Sequence, residues 1–317
     1  MPVHPAPNKT MAGRIASWQQ IRFNLTVASI ISINMIAIFN WLIAGSALRS
    51  FPIRLLRMKW ILFCGGALAF PMFSTSAETS ASEQHSNLVF AGRAEKAFQA
   101  ARTRFNSEPT NSEAAWQFGR ACFDVAEFAK DDAHREDFAT QGIAACRQLI
   151  VRQPKMAAGH YYLSMNLGQL ARTKTLGALK IVVEMETGFQ RARELDENFD
   201  NAGPDRNLGL LYLEAPGWPT SMGNRSKARH HLQRAVLLSP SFPENRLNLI
   251  EAYIKLGDKP AAQHEFKQLK ELWPGVKKQF TGEQWESTLV DWEKRWQKIQ
   301  TKLNASSKVL ESPGSKK

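Results

Sequence analysis

Between residues 226 and 274 the sequence repeats its own pattern. Ala228, Leu232, Ala235 and Pro240 recur as Ala262, Phe266, Leu269 and Pro274, each 34 positions further on. Leu249, Tyr253 and Gly257 fall between the two sets at a spacing of four. Apolar residues at steps of three and four with a turn residue between them describe two short helices, neither able to bury its apolar face alone. Such a unit is stable only against copies of itself, so the chain is constrained to a stack of helix pairs.

A period of 34 residues is that of the tetratricopeptide repeat, and residues 241–274 supply one complete unit. Earlier units follow with more length. Ala115, Phe118, Gly119 and Cys122 fill first-helix positions, and Gly142, Cys146, Leu149 and Pro154 second-helix positions. Gly119 to Pro154 is 35 positions where the repeat needs about 24, which assigns about 11 extra residues to a turn near Asp131 to Asp137. A third unit has Leu163, Ser164 and Leu167, the passage ARTKTLGALKIVVEMETGF, then Phe189, Ala192 and Leu195. The fourth has Leu208, Gly209 and Tyr212, the insertion EAPGWPTSMGNRS, then Ala228 onward. Ala94, Phe98 and Ala101 read as the second helix of a truncated first unit.

After Pro274, Thr281 to Gln284 has the form of a capping box. Trp285, Leu289, Trp292, Trp296, Ile299 and Leu303 then share one helix face. This helix is expected to cover the last repeat, with an oligomer contact as the alternative. The expected fold is therefore an all-α, TPR-like helical solenoid of about four helix pairs, three with lengthened turns, closed by a C-terminal capping helix. Length added to a solenoid collects on one face and often binds; tolerated surface loops are the plainer reading.

The first 77 residues differ from the rest. They hold seven of the Lys and Arg residues and no Asp or Glu, so only +5 of the net charge of +12 belongs to the remainder. No basic stripe interleaved with aromatics appears, and no nucleic-acid partner is expected. Phe23 to Leu48 carries no charge and meets the length of about 20 residues for a membrane span. MKWILFCGGALAFPMFSTSA, from Met58, reads as a secretory signal cut after Ala77. The expected organisation is an upstream extension or transmembrane anchor over 1–57, a signal peptide over 58–77, a flexible lead-in over 78–87, the solenoid over 88–303 and a disordered tail over 304–317. The chain is thus expected to be periplasmic or otherwise exported, or held at the inner membrane by its N-terminal apolar segment.

No HExxH, GxSxG or GxxxxGK[ST] motif occurs, and neither an enzymatic role nor a cofactor or metal is expected. His230 and His231 are adjacent, which turns their rings apart on a helix; with His264 they read as solvated or capping residues. Cys122 and Cys146 face each other within one unit, either as a disulfide or as two packed thiols. The binding candidates are the irregular stretches. Two prolines and a glycine in Ala215 to Pro219 break any helix, so Trp218 is presented from a loop, to meet a partner or to tuck back onto the repeat. TLGALKIVV, residues 175–183, either packs on the solenoid or lines a pocket for an apolar small molecule.

The ARTKTLGALK, AGPDRNLGLLY, APGWPTSMG and PENRLNL segments, between Tyr161 and Asp258, resemble bacterial exported tetratricopeptide proteins of the TRAP-transporter T-component type. The resemblance implies a periplasmic scaffold that associates with a solute-binding component of a tripartite transporter, as an oligomer with openings that pass a hydrophobic ligand. It also implies a shared surface at Leu176, Gly177, Leu179, Asp205, Gly209, Tyr212, Pro216, Trp218, Pro219, Gly223 and Arg246. The signal departs from the lipoprotein form used by some members, since Phe63 precedes Cys64 where a small residue is required.

Overall fold

A computed structural model describes residues 75–174 and 177–310, with side chains over 86–174 and 177–304. Among them are ten helices: α1 (Thr75–Ser107), α2 (Ser112–Ala126), α3 (Asp132–Arg152), α4 (Ala157–Arg172), α5 (Ala178–Leu195), α6 (Phe199–Glu214), α7 (Arg225–Leu238), α8 (Pro243–Leu256), α9 (Lys259–Gln279) and α10 (Glu283–Leu310). α2/α3, α4/α5, α6/α7 and α8/α9 form four hairpins, each packed on the next, with α1 against α2 and α10 against α8 and α9. This is the expected all-α, TPR-like solenoid with its capping helix.

The helix starts follow from the sequence. Asn111, Asp131, Asn224 and Asp258 accept backbone N–H groups in the first turns of α2, α3, α7 and α9, each such cap contributing about 1 kcal/mol. Gly257 closes α8 with a left-handed φ of 80°. Only two residues then separate α8 from α9, against five between α2 and α3, five between α4 and α5, and ten between α6 and α7.

The extra length of the first two hairpins therefore lies mostly in helix, not in the turns. Asp132 to Asp137 is polar, yet it forms the opening of α3, with Asp131 as the cap and Arg135 bonded to Asp132 at 2.8 Å. IVVEMETGF belongs to α5. The 78–87 segment, expected as a flexible lead-in, is likewise helical and continuous with α1, since no Pro or Gly interrupts residues 75–91. α9 runs through Pro274 to Gln279, and α10 reaches Leu310 where a tail was expected from Asn304. The apolar segment 23–48 and the signal-like segment 58–74 lie outside the described residues. No described helix is long and apolar enough to cross a membrane.

One apolar core runs from Ala115 and Trp116 to Ile299 and Leu303, and a smaller one joins α1 to α2 and α3 around Phe98, Phe118 and Cys122. Of the six residues in the α10 stripe, Trp292, Ile299 and Leu303 are buried. The Trp292 ring packs on Phe280 at 5.2 Å and Phe242 at 5.4 Å. Arg295 bonds Glu251 at 3.0 Å and Asn248 at 2.5 Å, fixing α10 on α8.

α6 begins with a feature the sequence conceals. Asp200, Asn201 and Ala202 have φ of 55°, 56° and 60°, a left-handed region that costs a non-glycine residue roughly 1–2 kcal/mol. A buried polar cradle offsets this. Arg206 donates to the carbonyls of Asn201 and Asp200 at 3.0 and 3.1 Å, and Asn245 of α8 donates to Asn201 at 3.1 Å. Tyr161 of α4 donates to the Asp200 carboxylate at 2.5 Å. Three hairpins thus converge to set where α6 starts, and so where it ends.

Candidate functional site: the Trp218 loop and its support

α6 ends at Glu214 because Ala215 turns extended, with ψ of 147°, ahead of Pro216. The ten residues that follow are held by their own backbone. Gly223 N–H donates to the Pro216 carbonyl at 2.8 Å, while Thr220 and Ser221 N–H donate to Gly217 at 3.0 and 3.2 Å. Asn224 N–H donates to Tyr212 at 2.9 Å, closing the loop onto α6. A Cβ on Gly223 would stand 2.1 Å from the Ala215 carbonyl oxygen, so this closure requires glycine. The Trp218–Pro219 peptide is cis.

Trp218 is 89% exposed. It does not tuck back over the repeat. An indole that buries on the order of 150–250 Å² when covered is instead held out in water by a braced loop.

The support beneath is polar and buried. Asp205, wholly buried, accepts from Arg234 Nε at 3.1 Å and lies 2.7 Å from His231 Nδ1; both partners are on α7. Arg193 of α5 stands 3.9 Å away. The His231 ring stacks on Tyr212, centroids 5.5 Å apart, and the Tyr212 hydroxyl donates to Glu186 of α5. Burial, followed by the bond to Glu186, raises the Tyr212 hydroxyl to about 12, so it remains a donor across the physiological range. Gly209 lets α7 approach, since a Cβ there would meet Leu232 Cγ at 2.6 Å.

The expected site residues divide accordingly. Asp205, Tyr212, Pro216, Trp218 and Pro219 come together, the first two as support and the last three as the loop. Gly177 (φ 85°) precedes α5 and Leu179 is half-buried on it, while Leu176 is outside the described residues. Arg246 belongs to another hairpin, where it pairs with Glu265 at 2.5 Å. In the TLGALKIVV stretch, Ala178 and Val182 pack into the solenoid and Val183 faces solvent. A cavity of about 510 Å³ lies elsewhere, between α1, α2 and α10, lined by Phe90, Ala97, Arg120 and Ser287 among others.

His231 corrects its expected reading: it is buried on Asp205, neither solvated nor capping. Their 26-residue separation in sequence is closed by the packing of α7 on α6, and no local motif marks it. Cys122 and Cys146 are free and buried, and burial raises Cys146 to about 12 and Cys122 further. Among the described residues no group of three His, Cys, Asp or Glu could hold a metal ion.

Residues 81–201 match the family model described as Regulator of microtubule dynamics protein 1-3, a match short of half the chain. No curated protein matches in sequence. Among solved structures, a thermophilic TPR protein of Thermus thermophilus, TTC0263, is similar with a TM-score of 0.51 and 18% identity, over 71% of this chain and 99% of that one. MamA is similar at a TM-score of 0.41 and 20% identity, over 58% of this chain and 90% of its own. The likeness to TTC0263 shows the fold: this chain has a TPR-like architecture.

Proposed function

We propose that the chain is a non-enzymatic interaction scaffold, a helical-repeat array that presents the Trp218 loop to a protein partner. The observation that carries this is the exposure of Trp218 on a loop that four backbone hydrogen bonds close onto itself and onto α6. An aromatic anchor on a preordered loop loses little conformational freedom on binding, and Trp is enriched among residues that dominate interfaces. The match to the microtubule-dynamics family model stops at residue 201, before this loop, so nothing about the loop's partner is taken from it.

In its finer form the reading is an exported scaffold whose partner is a periplasmic solute-binding component of a TRAP-type transporter. The APGWPTSMG and AGPDRNLGLLY segments and the signal-like stretch from Met58 support it. A membrane-anchored assembly scaffold unrelated to transport is the second reading, favoured by the uncharged run from Phe23 to Leu48. N-terminal sequencing of the mature chain separates the two: a start at Glu78 supports export and release, and retention of residues 23–48 supports the anchor. The docking role is tested by Trp218→Ala, expected to leave the unfolding midpoint within a few degrees while partner retention is lost. A large fall in stability with retention intact would make Trp218 a structural residue.

A further inference from the structure

α7 carries the largest net charge of the described helices. Of the chain's +12, residues 1–77 contribute +7 and residues 311–317 contribute +1, leaving +4 for residues 78–310. α7, which directly follows the Trp218 loop, carries four cations (Arg225, Lys227, Arg229, Arg234) and no acid. Beyond it, α9 carries +3, and acidic residues in α2, α6 and the turns between helices bring the remainder to zero. Two of the four are engaged in the fold, Arg234 with Glu197 and Asp205, and Arg229 with Asp258 at 3.4 Å. Arg225 and Lys227 are exposed and form no ion pair among the described residues; the Lys227 ammonium lies 4.8 Å over the Tyr212 ring.

Their position runs against helix electrostatics. The first turn of a helix carries the positive end of its dipole and favours acids, yet α7 has no acid there and two cations. Gly217 and Gly223 form a backbone bridge, so Trp218 is one residue, and Arg225 two, from the ends of the same clasp. At about 3.8 Å per residue the Trp218 and Arg225 backbones lie within roughly 16 Å of each other, both side chains exposed. The exposed apolar residues of the loop are Trp218 and its neighbour Pro219, with Pro216 and Met222 half-buried. A bilayer surface asks for wider apolar contact or a second anchor, whereas a peptide needs one aromatic contact and a matching charge.

Resting on the docking role given above, we propose that the partner segment is an acidic stretch of protein whose carboxylates meet Arg225 and Lys227 and whose apolar side chain covers Trp218. The charge steers the encounter and selects the partner, and the indole holds it.

The test uses the full chain, immobilised, to select from a displayed library of random peptides about 12 residues long, roughly the length needed to reach both the indole and the cations, with Trp218→Ala as the counter-selecting surface. Trp218-dependent binders are expected to be net acidic. Their affinity should fall at least about tenfold in an Arg225→Glu/Lys227→Glu variant and weaken with salt. That variant should unfold within a few degrees of the parent, since the new acids suit the dipole while Lys227 loses its contact with the Tyr212 ring. Trp218-dependent binders that are neutral or basic, or insensitive to the charge reversal, overturn the acidic assignment while leaving the docking loop in place. The absence of any Trp218-dependent binder overturns the docking role itself. Trp218-dependent flotation with phosphatidylglycerol vesicles, without peptide binding, replaces the protein partner with an anionic membrane.

Discussion

Asp205→Asn should destabilise the protein by about 3 kcal/mol, a figure set by the charged hydrogen bonds it would lose. The carboxylate is wholly buried, and it accepts from Arg234 at 3.1 Å and contacts His231 at 2.7 Å. A hydrogen bond to a charged group contributes about 1.5–3 kcal/mol. His231 is 10% exposed at its side chain, so that bond counts near full weight; Arg234 is 39% exposed, so solvent screens its share. The amide retains the shape and one acceptor but loses the charge, and its N–H₂ meets either the Arg234 donor or a His231 ring forced into the other tautomer. For a chain of this size the loss corresponds to a fall in melting temperature of roughly 6–12 °C, at about 2–4 °C per kcal/mol. Urea unfolding followed by far-UV circular dichroism measures it. Repeat arrays can unfold in stages, so the relevant transition is the one shared by α5, α6 and α7, read by hydrogen exchange. A His231→Gln background should reduce the Asp205→Asn effect by at least about 1 kcal/mol. Independence of the two substitutions, or a loss under about 1 kcal/mol, would refute the reasoning that Asp205 locks α7 to α6.

Trp292→Ala, at the centre of the aromatic packing between α8 and α10, should cost about 3–5 kcal/mol and raise hydrogen exchange in α10 before it does so in α4. The two described thiols should resist Ellman's reagent in the native state and react on unfolding, because burial raises both. The sign follows: with native thiol pKa values above the unfolded value of about 8.5, the unfolded chain ionises first, so stability is fully present below about pH 8.5 and declines as pH rises toward about 12. A pH series of urea midpoints checks this.

The repeat period was legible because each apolar position has one role on one helix face; Ala228, Leu232, Ala235 and their counterparts at 262, 266 and 269 are all inside. The α10 stripe was legible for the same reason, and so were the helix-breaking residues that expose Trp218. Helix lengths were not: Asp132 to Asp137 has the composition of a turn, but an acid at the start of a helix is equally favoured by capping and the dipole. The support beneath the loop was least legible. Asp205, Tyr212, His231 and Glu186 sit on three helices, and polar residues at such spacing read as solvated until the packing closes over them. The left-handed turn at Asp200 to Ala202 depends on Arg206, Asn245 and Tyr161, partners that local propensity does not see.

The most direct measurement is photo-cross-linking in the native cell, with a photoreactive amino acid in place of Trp218 and, as controls, in place of Val151 or Leu237, which are 83% and 79% exposed away from the loop. The account predicts a discrete covalent adduct with one protein at position 218, absent from both controls. Equal labelling at all three positions, or a discrete adduct only at a control position, would contradict it.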